Sequence, residues 1–252
     1  MEYDGTAYMG FQLQRGQPTI QGEIEKSLKR FTGETIRIRG ASRTDSGAHA
    51  RGQVVDFVTR SRHGVDIFPR ALNHHLPRDI RVVQAYHMVA GFHSRRDAIS
   101  RTYRYHILNR AWPSPLDRHT CFWVRDPLDA GSMTAAAQGF LGIHDFRALG
   151  VGHPAGLSAV RRVSRWDVWR EDENVIIECE ANGFLRHQIR RANAILIEVG
   201  KGRLPTEVVK DILEGGYQST REVAPIPALG LCLMKVTYPN FWSKVKSGHE
   251  AD

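Results

Sequence analysis

The sequence has little cysteine. Cys121, Cys179 and Cys232 are odd in number and far apart, so they define neither a disulfide frame nor a Cys-x-x-Cys zinc site. Reduced thiols in a cytosolic protein are the expectation. Long apolar runs are missing as well: no stretch could span a bilayer, and no signal-peptide core follows Met1-Glu2-Tyr3-Asp4-Gly5. There are 12 histidines, yet no His-x-x-x-His pair encloses a glutamate, and His74 and His75 are adjacent and would diverge on a helix. No metal site is expected. Gly-x-x-x-x-Gly-Lys and Gly-x-Gly-x-x-Gly are both absent, which removes the usual grounds for a nucleotide cofactor. What the chain does carry is positive charge, a net +8 over 252 residues. Such a balance favours a polyanion, either nucleic acid or an anionic membrane surface, without choosing between them.

One short stretch organises the rest. Gly40-Ala41-Ser42-Arg43-Thr44-Asp45-Ser46-Gly47-Ala48-His49-Ala50 lies between two strand-like runs, Thr35–Arg39 and Gln53–Thr59. Glycines and small residues here mean that the backbone turns sharply and packs close to something. Into this loop the sequence places Arg43 and Asp45. A guanidinium nearby favours the charged form of a carboxylate, and a positioned carboxylate can act as nucleophile or base. The same residues could equally form an Asx-turn with a surface ion pair.

Periodicity predicts a helix over 19–31, capped by Thr19 and ended by Gly33, and a short helix over 66–76. A strand is expected over 80–88 by alternation. The order β-α-β-β-α-β is that of a ferredoxin-like unit. The second half repeats it with one extra helix. Strand 98–108 has Ile99, Tyr103, Tyr105 and Ile107 on one face. Helix 129–141 follows, then a hairpin of 160–170 and 175–181, a helix over 185–199, another near Pro205, and a buried strand over 231–236. The expected fold is α+β: two ferredoxin-like halves, 1–91 and 92–252, forming a mixed, mainly antiparallel sheet with helices on one face.

Three further groups could carry chemistry. In Arg101-Thr102-Tyr103-Arg104-Tyr105, an aromatic flanked by arginines could stack a base and hold its phosphate; alternatively both tyrosines are core residues. Arg186, His187, Arg190 and Arg191 are expected at the start of a helix, where cations oppose the macrodipole. An arginine placed there needs an anion, a carboxylate or a phosphate, unless the face is merely solvated. Arg161, Arg162, Arg165 and Arg170 read as a phosphate-contacting hairpin.

The string Gly-x-x-Arg-Thr-Asp-x-Gly-x-His-Ala resembles the catalytic loop of the TruA-type tRNA pseudouridine synthases. Glu2-Tyr3-Asp4-Gly5-Thr6, Phe92-His93-Ser94-Arg95, Ser100 to Tyr105, His144-Asp145-Phe146, Asn182 to Arg190 and Ala228-Leu229-Gly230-Leu231 fit the same family in the same order. The resemblance implies the pseudouridine synthase fold and conversion of uridine to pseudouridine in the anticodon stem-loop of tRNA, at tRNA positions 38–40. It implies Asp45 as the catalytic aspartate, Arg43 holding the target base out of the stack, Tyr103 packing on the uracil and Arg190 pairing with the aspartate. Arg101, Arg161, Arg186 and His49 are then the candidates for further RNA contacts. It leaves open whether attack falls on base or sugar. It further implies a cofactor-free cytoplasmic homodimer that binds tRNA in a basic cleft. Ser42, Ala48 and Gln188 depart from the glycine, valine and methionine usual in the family. Family chains carry more strand residues ahead of Glu2, so the first strand is expected to be short or its start to lie upstream.

Two other readings compete. A non-catalytic RNA-binding module explains the charge but not Asp45 beside Arg43. A glycoside-cleaving hydrolase would want a second carboxylate as acid, and none is evident near Asp45.

Overall fold

A computed structural model describes residues 1–154, 156–215 and 224–245. The chain forms two compact units, one of residues 1–99 with 233–252 and one of residues 100–232. The fold class is α+β, with mainly antiparallel strands and packed helices, as expected.

The first unit contains β1 (Glu2–Tyr3), α1 (Ile20–Thr32), β2 (Arg39–Gly40), β3 (His49–Ala50), β4 (Val55–Asp56), α2 (Ile67–His75) and β5 (Ile80–Arg81). β1 pairs antiparallel with β3 and β5, and β2 with β4. α1 starts where predicted: the Thr19 hydroxyl accepts from the Gly22 N–H, and Gly33 closes the helix in the left-handed region at φ 77°. Ile20, Ile24 and Leu28 line its buried face.

The expected strands of this unit are much shorter than their hydrophobic patterns, because side chains intercept the backbone. Ile36 and Ile38 are buried, but the Ile38 N–H donates to Glu25 Oε1 at 3.1 Å rather than to a neighbouring strand. Beyond Arg81, Asn73 takes the Val82 N–H at 2.8 Å and donates to the Val82 carbonyl at 2.9 Å. The Glu34 carboxylate accepts the Arg60 N–H at 3.1 Å. Each bond satisfies a main-chain group that a longer ladder would have used.

The second unit holds β6 (Ser100–Asn109), β7 (Phe122–Val124), α3 (Ala130–Ala137), β8 (Gly142–Asp145), β9 (Val160–Glu171), β10 (Asn174–Ala181), α4 (Gln188–Gly200) and α5 (Val208–Leu213). β11 (Leu231–Thr237) begins here and ends in the first unit. Its sheet runs β7-β6-β10-β9-β8; only β6 and β7 are parallel. β7 and β8 were not anticipated. Ile99 was expected on the strand face with Tyr103; it lies before β6 and is 52% exposed. Tyr105, Ile107, Ile177 and Trp166 are buried in the core, with Phe140 4.5 Å from the Trp166 ring. The opposite sheet face is ionic, with Glu178 bound by both Arg104 and Arg165. No helix among the described residues is long and apolar enough to cross a membrane.

Candidate active site

The loop between β2 and β3 is built around Thr44, Asp45 and Ser46. The Ala48 N–H donates to the Asp45 carbonyl at 3.1 Å, closing a four-residue turn. Gly47, third in that turn, has φ 80°, which fits a type II turn. This is why the sequence needs glycine two residues after the aspartate.

The turn is fastened on both sides to the segment after β1. The Phe11 N–H donates to the Thr44 carbonyl at 3.1 Å, and the Gly47 N–H to the Tyr8 carbonyl at 3.3 Å. Ser46 Oγ donates to the same Tyr8 carbonyl at 3.1 Å. Gly10, at φ 88°, runs so close that a Cβ there would stand 2.8 Å from the Thr44 carbonyl oxygen. Buried Thr44 shares a hydrogen bond of 2.8 Å with the Tyr3 hydroxyl. Tyr3 OH in turn accepts from Gln53 Nε2 at 3.2 Å, and Gln53 also donates to the Ser42 carbonyl at 2.8 Å. Asp45 is thus half-buried on a backbone fixed before and behind it. Such fixing is what positions a reacting group.

Arg43 projects into solvent, and among the described residues no ion pair joins it to Asp45. Thr44 between them is drawn inward, its hydroxyl held by Tyr3 and its carbonyl by the Phe11 N–H. Arg43 does face another cation. Arg95 is exposed, and desolvation where its guanidinium packs, with the Arg43 charge second, lowers its pKa below the usual arginine value.

His49 is buried, with Nδ1 3.1 Å from both the Gly5 nitrogen and Asp4 Oδ1. A bare Nδ1 accepts the Gly5 N–H; a protonated one donates to Asp4 instead. Either way the ring ties the turn after β1 to β3.

The second unit carries the remaining candidates. Tyr105 is a core residue: burial raises its pKa, and its hydroxyl donates to the Pro227 carbonyl at 2.7 Å. Tyr103 is buried too, edge-on to Phe184 with centroids 5.5 Å apart. Arg101 is buried and donates to the Asn182 carbonyl at 2.8 Å. Arg161 donates to the Ser158 carbonyl at 2.9 Å and is half-buried. Arg186 is exposed and lies before α4, whose first residue is Gln188, rather than within the helix. His187 between them holds φ 63°, so the chain turns sharply into the helix. Arg190 occupies the first turn, where its Nε–H donates to the Ile226 carbonyl at 2.6 Å and so fixes the direction of the guanidinium.

Tyr3, Thr44, Gln53 and Gly10 support the loop but were missed as site residues. Tyr3 and Thr44 stood in strings quoted for the family, and Gln53 at the start of an expected strand, but nothing in the sequence marked them as supports. Among the described residues, no cluster of three or more His, Cys, Asp or Glu side chains could hold a metal ion.

Residues 1–93 and 136–239 match the model of a family described as tRNA pseudouridine synthase. The chain is 40% identical to tRNA pseudouridine synthase A of Acetivibrio thermocellus, over 94% of this chain and 97% of that protein. It is 41% identical to the protein of that name from Roseiflexus castenholzii, over 95% and 89% of the two chains. With that of Geobacter sp. strain M21 it shares 37% identity over 95% and 97%. A match of this breadth, together with the fastened Arg-Thr-Asp turn, shows that the chain belongs to the tRNA pseudouridine synthase family.

Proposed function

We propose that this chain isomerises uridine to pseudouridine in the anticodon stem-loop of tRNA, at tRNA positions 38–40, with Asp45 as the nucleophile. The observation that carries the reading is the pinned turn, which presents one carboxylate from a backbone held by Phe11, Tyr8 and Tyr3. The reaction breaks the bond from ribose C1′ to uracil N1 and forms one from C1′ to C5. The proton leaving C5 is balanced by the one gained at N1, so no oxidant, water or nucleotide is consumed. The carboxylate adds to the target nucleotide and is released when the rotated uracil is reattached.

A paired base is out of reach and must be flipped, at a cost of a few kcal/mol. Exposed Arg43 is suited to the vacated place, since its planar fork can bridge bases and phosphates. Tyr103 packs on the uracil, and stacking of that kind returns about 1–3 kcal/mol. Arg190 pairs with the Asp45 carboxylate, while Arg101, Arg161, Arg186 and His49 contact or shape the RNA surface. In this reading the half 1–91 supplies the nucleophile and the half 92–252 the tyrosine and the pairing arginine. The enzyme works as a cofactor-free homodimer in the cytoplasm.

The test uses unmodified tRNA and carbodiimide-dependent reverse-transcription stops. Wild-type protein is expected to give stops in the anticodon stem-loop. Asp45→Asn is expected to abolish them while tRNA affinity stays within about twofold, the change being isosteric. Turnover retained in Asp45→Asn would refute the assignment. Wild-type binding with no stops at all would instead favour the non-catalytic RNA-binding module.

A further inference from the structure

A cavity of about 550 Å³ in the second unit is lined by Asn109, Arg110, Ala111, Arg125, Pro127 and Arg170. None of these residues has a part in the reaction above. The strand register explains why three guanidiniums meet there. β6 and β7 are parallel, with Asn109 opposite Val124, so Arg110 and Arg125 leave neighbouring strands at the same end. Adjacent strands lie only about 4.8 Å apart. Arg170 comes from β9 and is locked by hydrogen bonds of 2.8 Å to Asn109 Oδ1 and 2.7 Å to the Leu128 carbonyl. Arg110 is steered by the Trp112 carbonyl and pairs with Glu173. Exposed Arg125 has no ion-pair partner among the described residues.

Three arginines line it and no carboxylate does, so its lining carries positive charge that attracts anions. Two exposed tryptophans are hydrogen-bonded to Arg110, one of its lining residues. Trp112 is 77% exposed, and Trp123, also exposed, donates its indole N–H to the Arg110 carbonyl at 2.9 Å. Guanidiniums beside exposed indoles suit a nucleic-acid backbone with accessible bases better than a compact small anion.

We propose that this arginine cavity is a second RNA contact, which holds backbone phosphates of the tRNA substrate through Arg110, Arg125 and Arg170. It raises affinity for the tRNA without taking part in the chemistry. The proposal rests on tRNA being the substrate, and its test keeps the two claims apart.

Binding of unmodified tRNA is measured across a salt series for wild type, Arg125→Glu, Arg125→Ala and Arg125→Lys, with pseudouridine formation and sedimentation alongside. Arg125→Glu is expected to raise Kd about tenfold. The slope of log affinity against log salt should fall in magnitude by about one, as for the loss of one phosphate contact. Arg125→Ala should show a smaller change in the same direction, and Arg125→Lys should bind nearly as wild type. Turnover at saturating tRNA should not change. An unchanged Kd and slope in Arg125→Glu, with wild type active, would overturn the second contact and leave the function standing. A variant whose sedimenting mass changes while its salt slope does not would also overturn it, by assigning this face to a second copy of the chain. Absence of pseudouridine in the wild type would strike the functional reading alone, since the binding series still reads the cavity.

Discussion

Gln53 is a single buried amide on which the Asp45 loop depends. Its Nε2 donates to the Ser42 carbonyl and to Tyr3 OH, and its Oε1 accepts the N–H groups of Ser42 at 3.3 Å and Val54 at 3.2 Å. Through Tyr3 the network reaches Thr44, next to Asp45, the proposed nucleophile. Gln53→Leu keeps the volume and removes every one of these bonds. Each buried group left unmatched costs about 1–3 kcal/mol. Thermal denaturation should show a lowered Tm, and single-turnover assays a rate lowered more than tRNA affinity is. A rate equal to that of wild type would show that the loop keeps its geometry without the amide. At this scale the sequence marked the loop and hid its supports. Asp45 and Arg43 stand in a distinctive string, whereas Gln53 looked like the start of a strand. Its partners Ser42 and Tyr3 are brought to it only by folding.

Elements with local rules were read closely, and those closed by distant side chains were not. α1 follows from Thr19, its apolar stripe and Gly33. The hairpin of β9 and β10 turns at Asp172, with φ 51°, between the strands expected over 160–170 and 175–181. The strands of the first unit were overestimated because Glu25, Glu34 and Asn73 occupy main-chain groups that the apolar pattern assigned to neighbours. α3 offers a pH test of one such local rule. Asp129 caps it, accepting from Ser132 Oγ at 2.6 Å and from the Gly131 N–H at 2.9 Å. The Ser132 hydroxyl, then the Ser132 and Gly131 N–H groups, hold its pKa below the ordinary aspartate value of 3.8. A carboxyl with a depressed folded pKa contributes stability above its unfolded value and loses it as pH falls through the folded one. Asp129→Asn keeps a capping oxygen without the charge. Its Tm should lie below that of wild type near neutrality, and the gap should close as the pH is lowered past the aspartate range. A gap constant from pH 7 down to about pH 2 would remove the charged cap from the account.

For the molecule as a whole, charge does what no single contact can. The family explains why a net +8 is carried: a tRNA offers a phosphate at every nucleotide, and its binding displaces condensed counterions. An anionic membrane was the other partner compatible with that charge, and both would weaken in salt, so salt alone does not separate them. Competition does. Full-length tRNA should bind with an affinity that falls on the order of a thousandfold between about 50 and 200 mM salt if six or more phosphates are contacted. Vesicles rich in anionic lipid should fail to displace it at matched phosphate concentration, because surface lysines and arginines alone give lipid only about 1 kcal/mol each and no helix among the described residues is long and apolar enough to cross a membrane. Fluorescence anisotropy of labelled tRNA reads both arms. A flat salt response would mean that the basic residues serve the fold rather than the RNA. Displacement by vesicles would mean that charge alone sets the choice of partner. In the proposed complex a base packed on Tyr103 and others beside the exposed tryptophans would predict the opposite, since stacking survives the salt that removes phosphate contacts. The affinity remaining above about 0.5 M salt should therefore drop further in Trp112→Ala, while a vesicle-binding surface would have none left to lose.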